Sequence, residues 1–255
     1  MTPVRFTQLK AMSRSPYHYA HAIKQGRADT AAMRRGRIVH WNVLGGMPDD
    51  EDGRIVLWDG RRAGNEWKAF EAEHAGCEIV TPAEWESALA IGDAVLNDPI
   101  AAPLLEGVRE TPIEWAIGPR ACRSRPDVLH PDRGVLVDLK TTTDASLVGL
   151  KRQAWRMAYH AQLAFYADAA RFRGVTVRDA YIIGVEVVAP HAVTVLRLTD
   201  RLLDQGQRMY RAWFEQLLVC ESSNQWPSYT QHVETFDVPE WMEVDAGDEG
   251  EEVAA

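Results

Sequence analysis

Arg125-Pro126-Asp127-Val128-Leu129 and, ten residues after Asp127, Val137-Asp138-Leu139-Lys140-Thr141-Thr142 decide how this chain is read. Between them His130-Pro131-Asp132-Arg133-Gly134 has the proline and glycine of a turn. Val135-Leu136-Val137 then has the β-branched composition of a strand. Alternation along that strand puts Val135, Val137 and Leu139 on one face and Asp138 and Lys140 on the other. A hairpin would return Asp127 alongside Asp138, with the Lys140 amine close by. Two carboxylates so close repel, and a divalent cation is the usual way to keep both ionised. Oxygen ligands suit Mg²⁺ or Mn²⁺ better than zinc. Asp-x-Lys on a strand is by itself common as a solvated, weak ion pair, so the rest of the chain has to decide.

The 255 residues suffice for a sizeable core in one α/β domain with appendages. With 46% hydrophobic and 25% charged residues the composition is that of a globular protein. No stretch approaches the roughly 20 apolar residues of a membrane span, and Met1-Thr2-Pro3-Val4-Arg5-Phe6 lacks the apolar core of a signal peptide. A cytoplasmic protein is expected, with no membrane contact. Cys77, Cys122 and Cys220 are far apart and form no Cys-x-x-Cys, which argues against disulfides, a zinc knuckle or an iron–sulfur cluster. The net charge of −9 owes six of its excess acids to Glu243, Asp245, Asp248, Glu249, Glu251 and Glu252, a stretch predicted to be disordered. Residues 1–40 lean the other way, with Arg5, Lys10, Arg14, Lys24, Arg27, Arg34, Arg35 and Arg37 against Asp29. Such a cluster fits a local phosphate-binding surface and a solvated helix face equally well.

Phe6 to Met12 reads as a short helix. Ser15-Pro16 reads as a cap opening a helix that Gly26 ends. A helix from about Thr30 to Leu44 carries Gly36 and His40 on one face, where a glycine costs about 1 kcal/mol against alanine and implies a close approach. His40 alone would more often be a core histidine beside Trp41. Asp49 to Gly53 is an acidic loop, with short strands at Arg54–Trp58 and Glu78–Val80 around a helix from Trp67 to His74. Thr81-Pro82-Ala83-Glu84 is a capping box launching a helix to about Asn97. Pro99 to Glu106 makes one more helical turn, and Trp67, Phe70, Trp85, Leu89 and Val95 read as packing.

Beyond Glu110 the periodicity turns to strands: Glu110–Ile117, Ala121–Leu129 and Val135–Thr141 predict a three-stranded meander centred on the acidic pair. In it Arg123, Arg125 and Asp127 would share a face. Asp144 is a plausible cap for a helix to Arg156, followed by a helix over 158–173 with Tyr159, Gln162 and Tyr166 in one stripe. That stripe fits a mixed core-and-surface helix as well. Ala180–Val188 reads as a buried central strand, Ala192–Leu198 as its hairpin partner, and Thr199 to about Val219 as a long amphipathic helix.

Gly36-x-x-x-His40, Arg125-Pro126-Asp127, Asp138-Leu139-Lys140-Thr141-Thr142 and Gln162-x-x-x-Tyr166, in that order, resemble the PD-(D/E)XK nuclease superfamily. The likeness is to its RecE-type (exonuclease VIII) and RecB-type nuclease domains, and Ser13-x-Ser15-Pro16-x-x-Tyr19 adds to it. It covers roughly residues 7–220; Asp stands at 138 where many relatives have Glu, and the acidic end lies outside it. The resemblance implies a restriction-endonuclease-like α/β core with a central mixed sheet flanked by helices. It places one nuclease domain over 1–225, helical over 1–108 with its catalytic core over 109–225, and an extended tail over 226–255. It implies one or two Mg²⁺ or Mn²⁺ ions on His40, Asp127, Asp138 and the Leu139 carbonyl, with an upstream acid, Glu110 first and Glu114 second. Lys140 would orient or deprotonate the attacking water. Gln162 and Tyr166 would hold the nucleic-acid backbone, beside a DNA-facing set of Ser13, Ser15, Arg34, Arg37 and Arg125.

The activity implied is a metal-dependent DNA exonuclease, acting 5′→3′ on duplex ends in phage-type recombination or repair. A ring-forming homo-oligomer and a single-strand annealing protein as partner are implied likewise. The chemistry is coherent: a cation held by the acids acidifies water and neutralises phosphoryl charge. Lys140 is pushed toward neutrality by that cation and away from it by the carboxylates, so water orientation is favoured over proton abstraction. An endonuclease or flap nuclease with the same site is the same-class alternative. A DNA-end-binding module that does not cleave is the other, and the intact Asp127, Asp138 and Lys140 argue against it.

Overall fold

The segment Val135–Thr142 is a strand throughout, and helices cover it on both sides. The computed structural model describes residues 2–25, 30–45 and 55–238. In chain order come α1 (Phe6–Leu9), a 3₁₀ turn (Lys10–Ser13) and α2 (Pro16–Gln25), where the Ser15 hydroxyl accepts from the His18 amide. The glycine expected to end α2, the acidic loop 49–53 and the acidic end from 239 lie outside the described residues. Helix α3 (Ala31–Leu44) begins at Thr30, whose hydroxyl accepts from the Met33 amide. Strands β1 (Ile55–Leu57) and β2 (Glu78–Val80) pair in parallel around α4 (Gly64–Glu73). Helix α5 (Pro82–Leu96) is opened by the reciprocal Thr81–Glu84 capping box.

After a 3₁₀ turn (Ala102–Leu105) come β3 (Val108–Arg109), β4 (Ile113–Ile117), β5 (Arg120–Ser124), β6 (Val128–His130) and β7 (Val135–Thr142). Then follow α6 (Leu147–Arg156), α7 (Tyr159–Phe172), β8 (Asp179–Glu186), β9 (Val193–Leu198) and α8 (Asp200–Ser223). Among the described residues the main sheet runs β3-β6-β7-β8-β9, antiparallel except for the parallel β7–β8 pair bridged by α6 and α7. This is a mixed central sheet flanked by helices.

The expected three-stranded meander does not form. Strands β4 and β5 make a ribbon of their own, and β6 pairs with β3 and β7. Arg125-Pro126 is the reason: proline has no amide to continue the β5 ladder, so the chain leaves one sheet and enters the other there. Arg123, Arg125 and Asp127 therefore lie on no common strand face; Arg123 pairs with Glu114 across the ribbon. The cap expected of Asp144 is supplied instead by Ser146, which accepts from the Gly149 amide, while Asp144 accepts from the Ser146 amide.

The predicted alternation on β7 divides the core. Val135, Val137 and Leu139 pack with Ile38, Val39 and Val43 of α3 and Ile91 and Val95 of α5. Leu136 faces the other way, into Leu163 and Phe165 of α7 and Tyr210 and Phe214 of α8. Burying each such side chain is worth about 1.5–3 kcal/mol, so a one-residue slip of β7 would cost both cores at once. Gly134 fixes that register: it turns the hairpin at φ 65°, where an added Cβ would lie 2.4 Å from the Thr176 carbonyl. No helix among the described residues is long and apolar enough to cross a membrane.

Candidate active site

Register brings the acids together. Val128 stands opposite Val137, so Asp127 and Asp138 fall side by side where β6 and β7 meet. Asp127 Oδ2 accepts the Leu139 amide at 2.6 Å, which aims the carboxylate across the hairpin. Helix α3, packed on the far face of β7, delivers His40. Its Nε2 lies 2.9 Å from the Leu139 carbonyl, and a carbonyl can only accept, so Nε2 carries the hydrogen. Nδ1 then faces two carboxylates, 3.6 Å from Glu110 Oε1 and 3.6 Å from Asp127 Oδ1.

Glu110 reaches this point by an unusual backbone. It follows β3 in the left-handed conformation at φ 47°, with its amide bonded to the Asp127 carbonyl at 3.1 Å. A non-glycine residue held there stores strain that neighbouring structure must sustain, as functional positions do. Arg125 Nε lies 3.1 Å from its other oxygen. His40, Glu110 and Asp127 thus present one donor atom each within 4.8 Å of one another.

Asp138, alongside Asp127 in the hairpin, is fully buried. Lys140 Nζ sits 2.6 Å from its Oδ2, while Oδ1 has no hydrogen-bond partner among the described residues. The ammonium also lies 5.1 Å from the Tyr159 ring centroid. The Tyr159 hydroxyl accepts from Gln153 Nε2 at 3.0 Å, and Gln153 Oε1 accepts from the Thr142 hydroxyl at 2.6 Å. On α7 Gln162 Nε2 donates to the Tyr166 hydroxyl at 3.0 Å.

Electrostatics ties the two halves together. Burial pushes the Asp138 carboxyl up to about 6; Asp127 adds to this, and Lys140 and His40 work against it. Burial alone would depress Lys140, but Asp138 and Asp127 outweigh it and raise the amine, which stays an ammonium. His40 is raised in the same manner: burial opposes its charge, and Asp127 and Glu110 overcome that. Tyr166 is raised by burial first and then by Asp138.

These residues fit a divalent cation. The field of Glu110 and Asp127 that draws a proton to His40 Nδ1 would draw a metal equally. The Nε2–carbonyl bond is the outer contact that orients a metal-ligating histidine, and Asp138 Oδ1 is a buried acceptor still lacking a donor.

Residues 5–239 match the family described as PDDEXK-like domain of unknown function (DUF3799). The chain belongs to this PDDEXK-like family. No curated protein matches it. Among solved structures it is similar to a candidate exonuclease from Eubacterium rectale, at 15% identity and a TM-score of 0.66, over 96% of this chain and 93% of that one. A phage-related exonuclease from Haemophilus somnus 129PT matches at 14% identity and a TM-score of 0.39, over 86% and 96% of the two chains. The first of these likenesses shows the fold.

Within the PDDEXK-like frame, Asp138 and Lys140 lie on β7, His40, Gln162 and Tyr166 on the helices packed against it, Asp127 just before β6 and Glu110 just after β3. The Leu139 carbonyl is engaged by His40, and its second lone pair is what remains for a cation. Glu114 stands apart, exposed and paired with Arg123. The residues anticipated to face DNA have varied surroundings. Ser13 is exposed, Ser15 is buried with its hydroxyl 2.7 Å from His18 Nδ1, and Arg34 and Arg37 pair with Glu84 and Glu78. Gln153 was not singled out by the sequence. The only signal for it was a polar residue on the inward side of a helix whose other side is basic. An alanine at Gly36 would meet Thr141 Oγ1 at 3.5 Å, an ordinary contact, so Gly36 tolerates more than a close approach requires.

Proposed function

We propose that this PDDEXK-like protein is a metal-dependent deoxyribonuclease, hydrolysing phosphodiester bonds as an exonuclease at duplex ends. One observation carries the reading: His40 Nδ1, Glu110 and Asp127 converge within 4.8 Å, beside a buried Asp138–Lys140 pair. Three donor atoms turned toward one point, one of them on a glutamate in a left-handed turn, support a cation there. The residues that would hold Mg²⁺ or Mn²⁺ are His40, Glu110, Asp127 and Asp138. When bound, the ion supplies charge neutralisation at the phosphoryl oxygens and acidifies water.

The chain's own residues do the remainder. Arg125 keeps Glu110 in place through its ion pair. Lys140, fixed between Asp138 and the Tyr159 ring, donates from Nζ to the water or to a phosphoryl oxygen. Gln162 and Tyr166, linked to each other, offer the amide and the phenol that hold the strand backbone. The 5′→3′ direction, the role in recombination, the ring assembly and the annealing-protein partner rest on the RecE-type resemblance alone.

A linear duplex labelled separately at each end, with a closed circle as control, tests the reading. Mg²⁺-dependent loss of one end label with the circle intact is expected, as is no cleavage by Asp127→Ala, Asp138→Ala or Lys140→Ala. Turnover persisting in such a variant or in EDTA would sink the metal-dependent mechanism, and nicking of the circle would make the protein an endonuclease.

A further inference from the structure

Helix α6 stands between the Lys140 strand and α7, and its two sides differ in character. Its inner side seats Leu150 in the core and supplies Gln153, which ties Thr142 to the Tyr159 hydroxyl. The outer side exposes Lys151, Arg152, Trp155 and Arg156. None of those three cations is in a salt bridge among the described residues, and the helix contains no acid. Asp144, ahead of the helix, is within the field of Arg152 and accepts from the Ser146 amide.

Trp155 is 60% exposed although it is among the largest side chains of the protein. One face of its indole lies flat on the His160 ring, with centroids 4.8 Å apart and planes 9° from parallel, so the other face is open. His160 is itself buried, and its Nε2 has no hydrogen-bond partner among the described residues. A cleft of about 240 Å³ opens there between Trp155, Ile182, Leu196, Leu198 and Leu202. A rigidly backed aromatic plane ringed by unpaired cations is the construction that binds a base and its flanking phosphates. The helix also abuts the site: Arg156 acts electrostatically on the Tyr159 hydroxyl, which responds to Lys140 and Asp138 as well.

We infer that the outer face of α6 binds single-stranded DNA next to the active site, with one unpaired base stacked on Trp155 and its phosphates held by Lys151, Arg152 and Arg156. Charge complementarity selects a polyanion over an apolar partner, and the open indole selects an unpaired base over a duplex. The inference rests on the DNA-hydrolysing reading of the site, yet it is tested by binding alone. Affinity is measured with the full chain in EDTA, by fluorescence anisotropy of a labelled single-stranded oligonucleotide and of a blunt duplex.

Trp155→Ala is expected to weaken single-strand binding about tenfold, within the range of a lost base stack, and to affect the blunt duplex less. Trp155→Phe should restore most of the affinity. Lys151→Ala and Arg152→Ala should each lower the slope of log affinity against log salt by roughly 0.7. An unchanged melting temperature shows that each variant folds. Equal single-strand affinity of Trp155→Ala and wild type overturns the inference. So does an equal loss on both substrates, or a change of oligomeric state with DNA affinity intact, which would make the face a contact between copies. Absence of cleavage by the wild type with these binding effects intact would instead sink the hydrolytic reading.

Discussion

Asp138 on β7 and Asp168 on α7 are both almost sealed from solvent, at 0% and 7% exposure. Their surroundings are opposite. Asp168 accepts from Arg171 at 2.8 Å, Gln207 at 2.9 Å, Arg211 at 2.7 Å and the Tyr210 hydroxyl, so α8 is clamped to α7 by a fully satisfied carboxylate. Gly206 admits this approach, since a Cβ there would come 2.3 Å from the His160 carbonyl. Burial works to raise the Asp168 carboxyl, but those hydrogen bonds hold it below the usual carboxylate range. Asp138 has one ammonium and an unpartnered oxygen, and is pushed up to about 6. A carboxylate that lacks donors stores an affinity for a cation; one that has them all stores stability.

The sharpest way to break this contrast is to neutralise each acid in turn. Asp138→Asn should lower phosphodiester hydrolysis on the order of 10³-fold, as loss of a charge-stabilising group does, while cooperative unfolding persists. Asp168→Asn should leave the active-site geometry in place and destabilise by about 3 kcal/mol, because Arg211 and Arg171 lose their counter-ion. That corresponds to a melting temperature lower by roughly 8 °C for a domain of this size. If the two variants behaved alike in both assays, the distinction between the acids would be void.

Metal is the next lever. At a hundredfold excess over its dissociation constant, Mg²⁺ or Mn²⁺ should stabilise the wild type by about 2.7 kcal/mol, read as a rise in melting temperature. His40→Ala and Glu110→Gln should lose most of that rise, and Glu114→Gln should keep it. Acid separates the pair further. Asp168, with its folded pKa depressed, contributes stability above the unfolded carboxylate pKa and loses it as pH falls through the folded value. The stability gap between wild type and Asp168→Asn should therefore be widest near neutrality and close below about pH 4. Denaturant melts at several pH values check this. The smallest effect expected is a gain: Gly36→Ala should stabilise by up to about 1 kcal/mol, since the methyl fits and alanine favours the helix.

Much of the fold was written locally. The Thr81 cap sits where the sequence puts it, and the helix expected from about Thr30 starts there, because a hydroxyl three residues before an amide is enough to start a helix. The division of β7 side chains between its two faces followed from alternation alone. What misled was the run from Glu110 to Leu129, where strand-like composition hides a change of sheet at Pro126. Choosing Glu110 over Glu114 also exceeded local rules, because it depends on a left-handed turn at Glu110 and on the β3–β6 pairing, a contact between distant residues. The anticipated DNA-facing arginines are similar: Arg34 and Arg37 are engaged by Glu84 and Glu78, contacts between residues distant in the chain.

By itself the sequence determined the hairpin that sets Asp127 beside Asp138, the face on which Lys140 stands, and the helix that carries His40. These depend on spacing, and spacing is a property of the chain. Only the tertiary structure decided that Glu110 turns toward His40 and Asp127, that Asp138 keeps an unpartnered oxygen while Asp168 does not, and that Trp155 lies open over His160. Those outcomes depend on which groups meet after burial, and a buried charge takes its character from its neighbours in space.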